Sequence, residues 1–99
     1  MRPIHVAKLD KTRPVLILTR ELVRPLLARV TVALITGTVR ALSTELPVGS
    51  RNGLDQQSVV SLHNIVKIPV AALGHQIGFL FPDQELDLTA AIRNAFDLD

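Results

Sequence analysis

Two short aliphatic runs constrain this chain more than anything else in it: Thr12-Arg13-Pro14-Val15-Leu16-Ile17-Leu18 and Val30-Thr31-Val32-Ala33-Leu34-Ile35-Thr36. Both are strand-like, and each carries one polar group suited to phosphate at its edge. The first run has a guanidinium near its start, Arg13, and the second ends on a hydroxyl, Thr36. Antiparallel pairing of the two strands brings those groups together. A cation and a hydroxyl donor at one point suit the oxygens of a phosphate ester. The pattern therefore points to RNA or nucleotide chemistry.

The bulk properties narrow the frame. Ninety-nine residues make a single domain, spanning 1–99. Hydrophobic residues are 47% of the chain and the mean hydropathy is +0.32. A domain of this size buries only ~60–65% of its unfolded surface. Some apolar surface therefore stays exposed in a monomer, and a homodimer is the economical way to cover it. Cysteine is absent, which excludes disulfides, thiolate catalysis and a cysteine zinc site. No apolar run has the length of a signal peptide or a membrane span, so a cytoplasmic location without membrane attachment is expected.

Charge is uneven along the chain. Residues 1–51 hold nine Lys/Arg against three Asp/Glu, and residues 52–99 hold two against six. A basic first half suits a polyanionic partner, or is simply a solvated face. The three aromatic residues, Phe79, Phe81 and Phe96, all come late. Recognition of single strands by stacking on an aromatic platform is thus not expected.

Along the chain, strands are expected at Arg2–Leu9, Arg13–Leu18 and Arg29–Thr36. Asp10-Lys11-Thr12 forms the turn between the first two. Thr19–Arg24 reads as one helical turn broken at Pro25, or as a loop with helical character. Thr38–Leu42 is a plausible fourth strand or the approach to one, and Thr44–Val48 a short extended piece before the turn residues Asn52-Gly53. Ser58–Leu62 is β-branched, and Val66–Ile68 extends the sheet. Pro82-Asp83 marks a helix start with Asp83 as its N-cap. Leu88, Ala91, Ile92, Ala95 and Phe96 then form one apolar helix face. The result is a small, β-dominated α+β domain.

Each candidate site residue has a functional and an ordinary reading. Arg13 precedes proline, which holds it extended at a strand edge; it clamps phosphate, or is a surface arginine. Thr36 donates to a phosphate oxygen, or simply ends a strand. Thr38 and Arg40 share a sheet face and extend a basic groove, or are solvated. His63, beside Asn64, is an acid or base near neutral pH, or an exposed histidine at a strand end. His5, His63 and His75 do not pair at metal-ligand spacing, and no nucleotide-binding or hydrolase fingerprint occurs. No metal or cofactor is expected.

At these same residues the chain resembles the MazF/PemK/Kid family of toxin endoribonucleases. The likeness is tightest at Arg13-Pro14-Val15-Leu16-Ile17 and Val32-Ala33-Leu34-Ile35-Thr36. It continues through Asn52-Gly53-Leu54-Asp55, Ser58-Val59-Val60, Leu62-His63-Asn64-Ile65 and Ala91-Ile92-Arg93-Asn94-Ala95-Phe96, with an actinobacterial look. It implies an SH3-like small barrel of twisted antiparallel strands with a C-terminal helix, working as a homodimer. It also implies metal-independent, sequence-selective cleavage of single-stranded RNA. The ribose 2′-hydroxyl attacks the adjacent phosphorus, leaving a 2′,3′-cyclic phosphate and a 5′-hydroxyl. By motif, Arg13 and Thr36 are the catalytic pair, His63 a possible acid/base, and Lys11, Thr12, Thr38, Arg40 and Asn64 contact RNA. The implied partners are single-stranded RNA and a cognate antitoxin whose acidic tail lies over the RNA groove.

The chain departs from the family pattern twice. The loop before Arg-Pro-Val is reduced to Asp10-Lys11-Thr12, which opens the site. His63 stands where relatives commonly carry an acid; it either takes over proton transfer or marks a weakened homologue that acts mainly as an antitoxin-binding module.

Overall fold

The computed structural model describes residues 1–98. Six strands form one antiparallel sheet: β1 (Arg2–Lys8), β2 (Thr12–Ile17), β3 (Arg29–Thr36), β4 (Glu45–Val48), β5 (Ser58–Pro69) and β6 (Leu73–Leu80). A single helix, α1 (Pro82–Ala95), follows. The strand order is β4-β5-β3-β2-β1-β6. The sheet curls into the expected SH3-like half-barrel. No helix among the described residues is long and apolar enough to cross a membrane.

Alternation along the strands builds two cores on opposite faces of the same sheet. Leu16, Ala33 and Ile35 point into a core shared with Leu46, Leu62, Leu80 and the helix residues Leu88 and Ala91. Their neighbours Val15, Ile17 and Val32 point the other way, into a second core with Ala7, Val30 and Ile68. With both faces covered, β2 and β3 read as near-continuous apolar runs rather than as alternating ones. Each large aliphatic side chain buried this way contributes about 1.5–3 kcal/mol of hydrophobic free energy.

One irregularity shapes the site. Ala33 pairs with Ile65, but the next residue, Leu34, pairs with Ser61, so Leu62, His63 and Asn64 are extra residues on β5. This bulge joins the two expected strand pieces into one twelve-residue strand and bends it.

A buried amide closes the barrel. Asn52, fully buried, lies at the end of a 3₁₀ turn, Ser50–Asn52. Its Nδ2 donates to the carbonyls of Phe79 and Gln84 (Oε1), both at 2.8 Å. Its Oδ1 accepts from the Gly49 N–H at 3.1 Å. The turn thus ties the β4–β5 connection to β6 and to the first turn of α1. Backbones meet here so closely that a Cβ on Gly78 would lie 1.8 Å from the Asn52 carbonyl oxygen, so only glycine fits.

Four local expectations need correction. Thr38–Leu42 is not a strand: the N–H groups of Arg40 and Leu42 donate to the Glu45 carboxylate instead of to a ladder, and Ala41 has a φ of 55°. Asp83 is not the N-cap. Phe81 holds that position, Pro82 opens the helix, and Gln84 Oε1 accepts the Phe81 N–H at 3.0 Å. After β2 the loop with helical character holds, not a turn broken at Pro25, which sits inside a 3₁₀ turn, Arg24–Leu26. Phe96 does not join the buried helix face; it lies past the end of α1 and is 56% exposed.

Candidate active site and nucleic-acid interface

The β2–β3 register pairs Val15 with Leu34, Leu16 with Ala33 and Ile17 with Val32. Continued outward, the same register sets Arg13 opposite Thr36. Both side chains leave the face that carries the second core, at the point where that core gives way to solvent. They line a cleft of about 380 Å³ together with Asp10, Leu34, Thr38, Arg40, Glu45, Ser61 and Asn64. The Arg13 and Thr36 side chains thus line one cleft.

Arg13 is held by its own hairpin. Its Nε donates to Asp10 Oδ1 at 3.1 Å and its Nη2 to Asp10 Oδ2 at 3.2 Å. The fork is engaged along one edge, and Nη1 has no partner among the described residues. The hydrogen bond to Asp10 is the main reason the Arg13 pKa is raised, with the attraction of the carboxylate second. The same bond is the largest cause of the lowered Asp10 pKa, followed by the Lys11 backbone N–H. Both groups stay charged across the neutral range.

Thr36 Oγ1 accepts the Thr38 N–H at 3.2 Å, which leaves its own O–H free to donate. Across the cleft, Asn64 Nδ2 donates to Oγ of Ser61 at 3.0 Å. Glu45 Oε1 accepts from the Arg40 N–H at 3.1 Å and the Leu42 N–H at 3.3 Å. The cleft therefore balances two cations, Arg13 and Arg40, against two carboxylates, Asp10 and Glu45.

Of the residues expected from sequence, Arg13, Thr36, Thr38, Arg40 and Asn64 share this cleft. Lys11 is exposed in the β1–β2 turn and does not line it. Thr12 lines a separate hollow with Lys8 and Ala72. His63 is exposed on the bulge and is likewise not among the lining residues. Asp10, Glu45, Leu34 and Ser61 were not anticipated. The Asp10–Arg13 spacing across a tight turn was an available signal for the first. Glu45 and Ser61 enter only through the β4–β5–β3 register, which has no local signature.

Comparison with known proteins bears on the family and the fold. Residues 3–96 match the family described as PemK-like, MazF-like toxin of type II toxin-antitoxin system. Endoribonuclease MazF3 of Mycobacterium tuberculosis is 66% identical over 99 residues, covering 100% of this chain and 96% of the relative. The solved structure of the Mycobacterium tuberculosis toxin MazF-mt6 superposes with a TM-score of 0.97 at 65% identity, over 99% of both chains. An endoribonuclease solved with its cognate antitoxin, from a mycobacterial species, shares the fold at 22% identity with a TM-score of 0.87, covering 98% of this chain and 93% of that one. With residues 3–96 matching the family and a curled six-stranded sheet, the chain belongs to the PemK/MazF family of toxin endoribonucleases of type II toxin–antitoxin systems.

Proposed function

We propose that this toxin cleaves single-stranded RNA in the Arg13–Thr36 cleft by internal transesterification, without a metal cofactor. The observation that carries this reading is the convergence of Arg13 and Thr36 on one cleft wall from two adjacent strands. In the reaction the ribose 2′-oxygen forms a bond to phosphorus and loses its proton. The bond from phosphorus to the 5′-oxygen breaks, and the leaving oxygen gains a proton. Negative charge builds on the non-bridging oxygens in between. Arg13, using the edge that Asp10 leaves free, and the Thr36 hydroxyl supply fixed donors for that charge. Asp10 is a positioning residue that fixes the plane of the guanidinium. Thr38, Arg40 and Asn64 contact the strand on either side of the scissile bond.

The protein works as a homodimer in the cytoplasm and is silenced by a cognate antitoxin. Relatives named as antitoxin complexes support that partner, and an acidic tail would compete with RNA for Arg13 and Arg40.

The test is cleavage of a long, mixed-sequence RNA in excess EDTA, with the new ends mapped. Recurrent cuts bearing cyclic phosphate are expected, falling by ~10²–10³ in rate in Thr36→Val and at least as far in Arg13→Ala. Both variants should keep the parent's size by light scattering. An Arg13→Ala protein that cuts as fast as its parent would refute the assignment.

A further inference from the structure

Internal attack on RNA requires the ribose 2′-oxygen to give up its proton, and the Arg13–Thr36 pair offers nothing to take it. A guanidinium only donates, and a hydroxyl that already accepts the Thr38 N–H is no base. The proton acceptor has to come from elsewhere in the cleft, whose carboxylates are Asp10 and Glu45. Asp10 is committed. Each of its oxygens accepts from the Arg13 guanidinium, and that bond is the main cause of its lowered pKa, which makes it a weak base. His63, the acid or base expected from sequence, is exposed on the β5 bulge and does not line the cleft.

Glu45 is held but not used up. Its Oε1 accepts from the Arg40 and Leu42 N–H groups, which fixes the side chain. Its Oε2 has no partner among the described residues, and Glu45 joins no ion pair there. The charged groups that share its cleft are Asp10, Arg13 and Arg40. From α1, packed on the Leu46 side of β4, the neutral Asn94 reaches this segment and donates to the Ser43 carbonyl at 3.1 Å. The span across the cleft also fits. Glu45 pairs with Ser61 and Ser61 with Leu34, so Glu45 stands two strands from β3, about 10 Å away, on the face that Leu34 shares with Thr36. A donor on a phosphate oxygen, the phosphate, an attacking 2′-oxygen and its base need about 8–9 Å in series. Side chains leaning inward from a curled sheet close the difference.

We propose that Glu45 is the general base of the cleavage, its Oε2 taking the 2′-hydroxyl proton while Arg13 and Thr36 hold the charge on the phosphoryl oxygens. The inference rests on the ribonuclease reading above and supplies its missing proton acceptor. The O2′–H bond breaks toward Oε2, the O2′–P bond forms, and the P–O5′ bond breaks. The leaving oxygen takes a proton from water, and the Glu45 carboxyl returns its own to solvent.

The experiment follows single-turnover cleavage of a short RNA carrying the parent's mapped cut site, by the parent, Glu45→Gln and Glu45→Ala. Glutamine keeps an oxygen for the two loop N–H groups but cannot take the proton. Glu45→Gln should therefore melt with the parent and bind the 2′-deoxy form of the RNA within about threefold. Its cleavage step should slow ~10²–10⁴-fold. Formate, which fits the space opened by Glu45→Ala, should raise that variant's rate about tenfold or more. With sulfur in place of the scissile 5′-oxygen, a leaving atom that needs no proton, the Glu45→Gln deficit should persist. A folded Glu45→Gln protein that cuts as fast as its parent overturns the proposal, as does a loss confined to binding. Indifference of Glu45→Ala to formate overturns it too. A deficit erased by the sulfur atom would make Glu45 the acid at the leaving oxygen and refute the base assignment. If the parent leaves no cyclic phosphate ends, the ribonuclease reading fails first and this inference falls with it.

Discussion

The acid that pairs with Arg13 is the residue whose role is easiest to misjudge. As a source of stability the Asp10–Arg13 pair is weak, because Asp10 is 69% exposed and exposed pairs contribute little. Its value is directional: two hydrogen bonds in one plane hold a long, flexible side chain at the angle a phosphoryl group needs. Asp10→Asn should therefore leave the melting temperature unchanged and lower kcat/KM by ~10-fold to 10²-fold, mostly in kcat. The pH dependence follows from the shift. The folded pKa of Asp10 lies below its unfolded value, chiefly through the bond to Arg13. The pair is thus fully formed at neutral pH and is lost as the pH falls through the folded value, below the usual carboxylate range. The parent should show an acid-side decline in kcat/KM there that is missing in Asp10→Asn; the two pH–rate profiles decide it.

At the scale of elements, the connection between β4 and β5 carries more than a turn. Asn52 satisfies the Phe79 carbonyl and the Gln84 amide, and Gln84 in turn caps α1. Asn52→Ala would leave the Phe79 carbonyl and the Gly49 N–H without their side-chain partner inside the protein, at ~1–3 kcal/mol for each. A loss of about 2–4 kcal/mol is expected, read as a fall in melting temperature of roughly 10–25 °C, with cleavage in the cold retained because Asn52 does not line the cleft. The sequence did announce a turn here, since Asn-Gly has a local mechanism, but not the fact that Asn52 is fully buried. The same limit explains β6. Leu73–Leu80 escaped notice as a strand because Gly74 and Gly78 dilute its pattern, and Gly78 is there for the close approach of the Asn52 backbone. β2, β3 and the apolar face of α1 were legible because each declares itself in consecutive residues. Arg13 and Thr36 were legible for the same reason. Asp10 lay beside them unrecognised, while Glu45 and Ser61 depend on register between strands far apart in the chain.

For the molecule as a whole, folding neutralises part of the basic first half. Arg2 pairs with Glu85 at 3.0 Å and Arg51 with Asp83 at 2.8 Å, both acids lying in the first turn of α1. Arg51 also stacks over the Phe81 ring at 4.6 Å. Folding thus spends two of the first-half cations on docking the helix, and a third, Arg13, on Asp10. Six first-half cations, Arg40 among them, keep no ion-pair partner among the described residues. Arg40 supplies the one guanidinium in the cleft without an ion-pair partner among the described residues. This separates two readings of the charge asymmetry. A diffuse basic field would make every first-half arginine count about equally in the salt dependence of RNA binding. A local site predicts that Arg40→Ala lowers the slope of log affinity against log salt by about 0.7, the share of one phosphate contact on a single strand. Arg51→Ala, which loosens the helix but touches no cleft residue, should leave that slope unchanged. The pair of titrations, run with single-stranded RNA between 50 and 200 mM salt, distinguishes a local phosphate site from a basic surface, and equal slopes for the two variants would sink the local site.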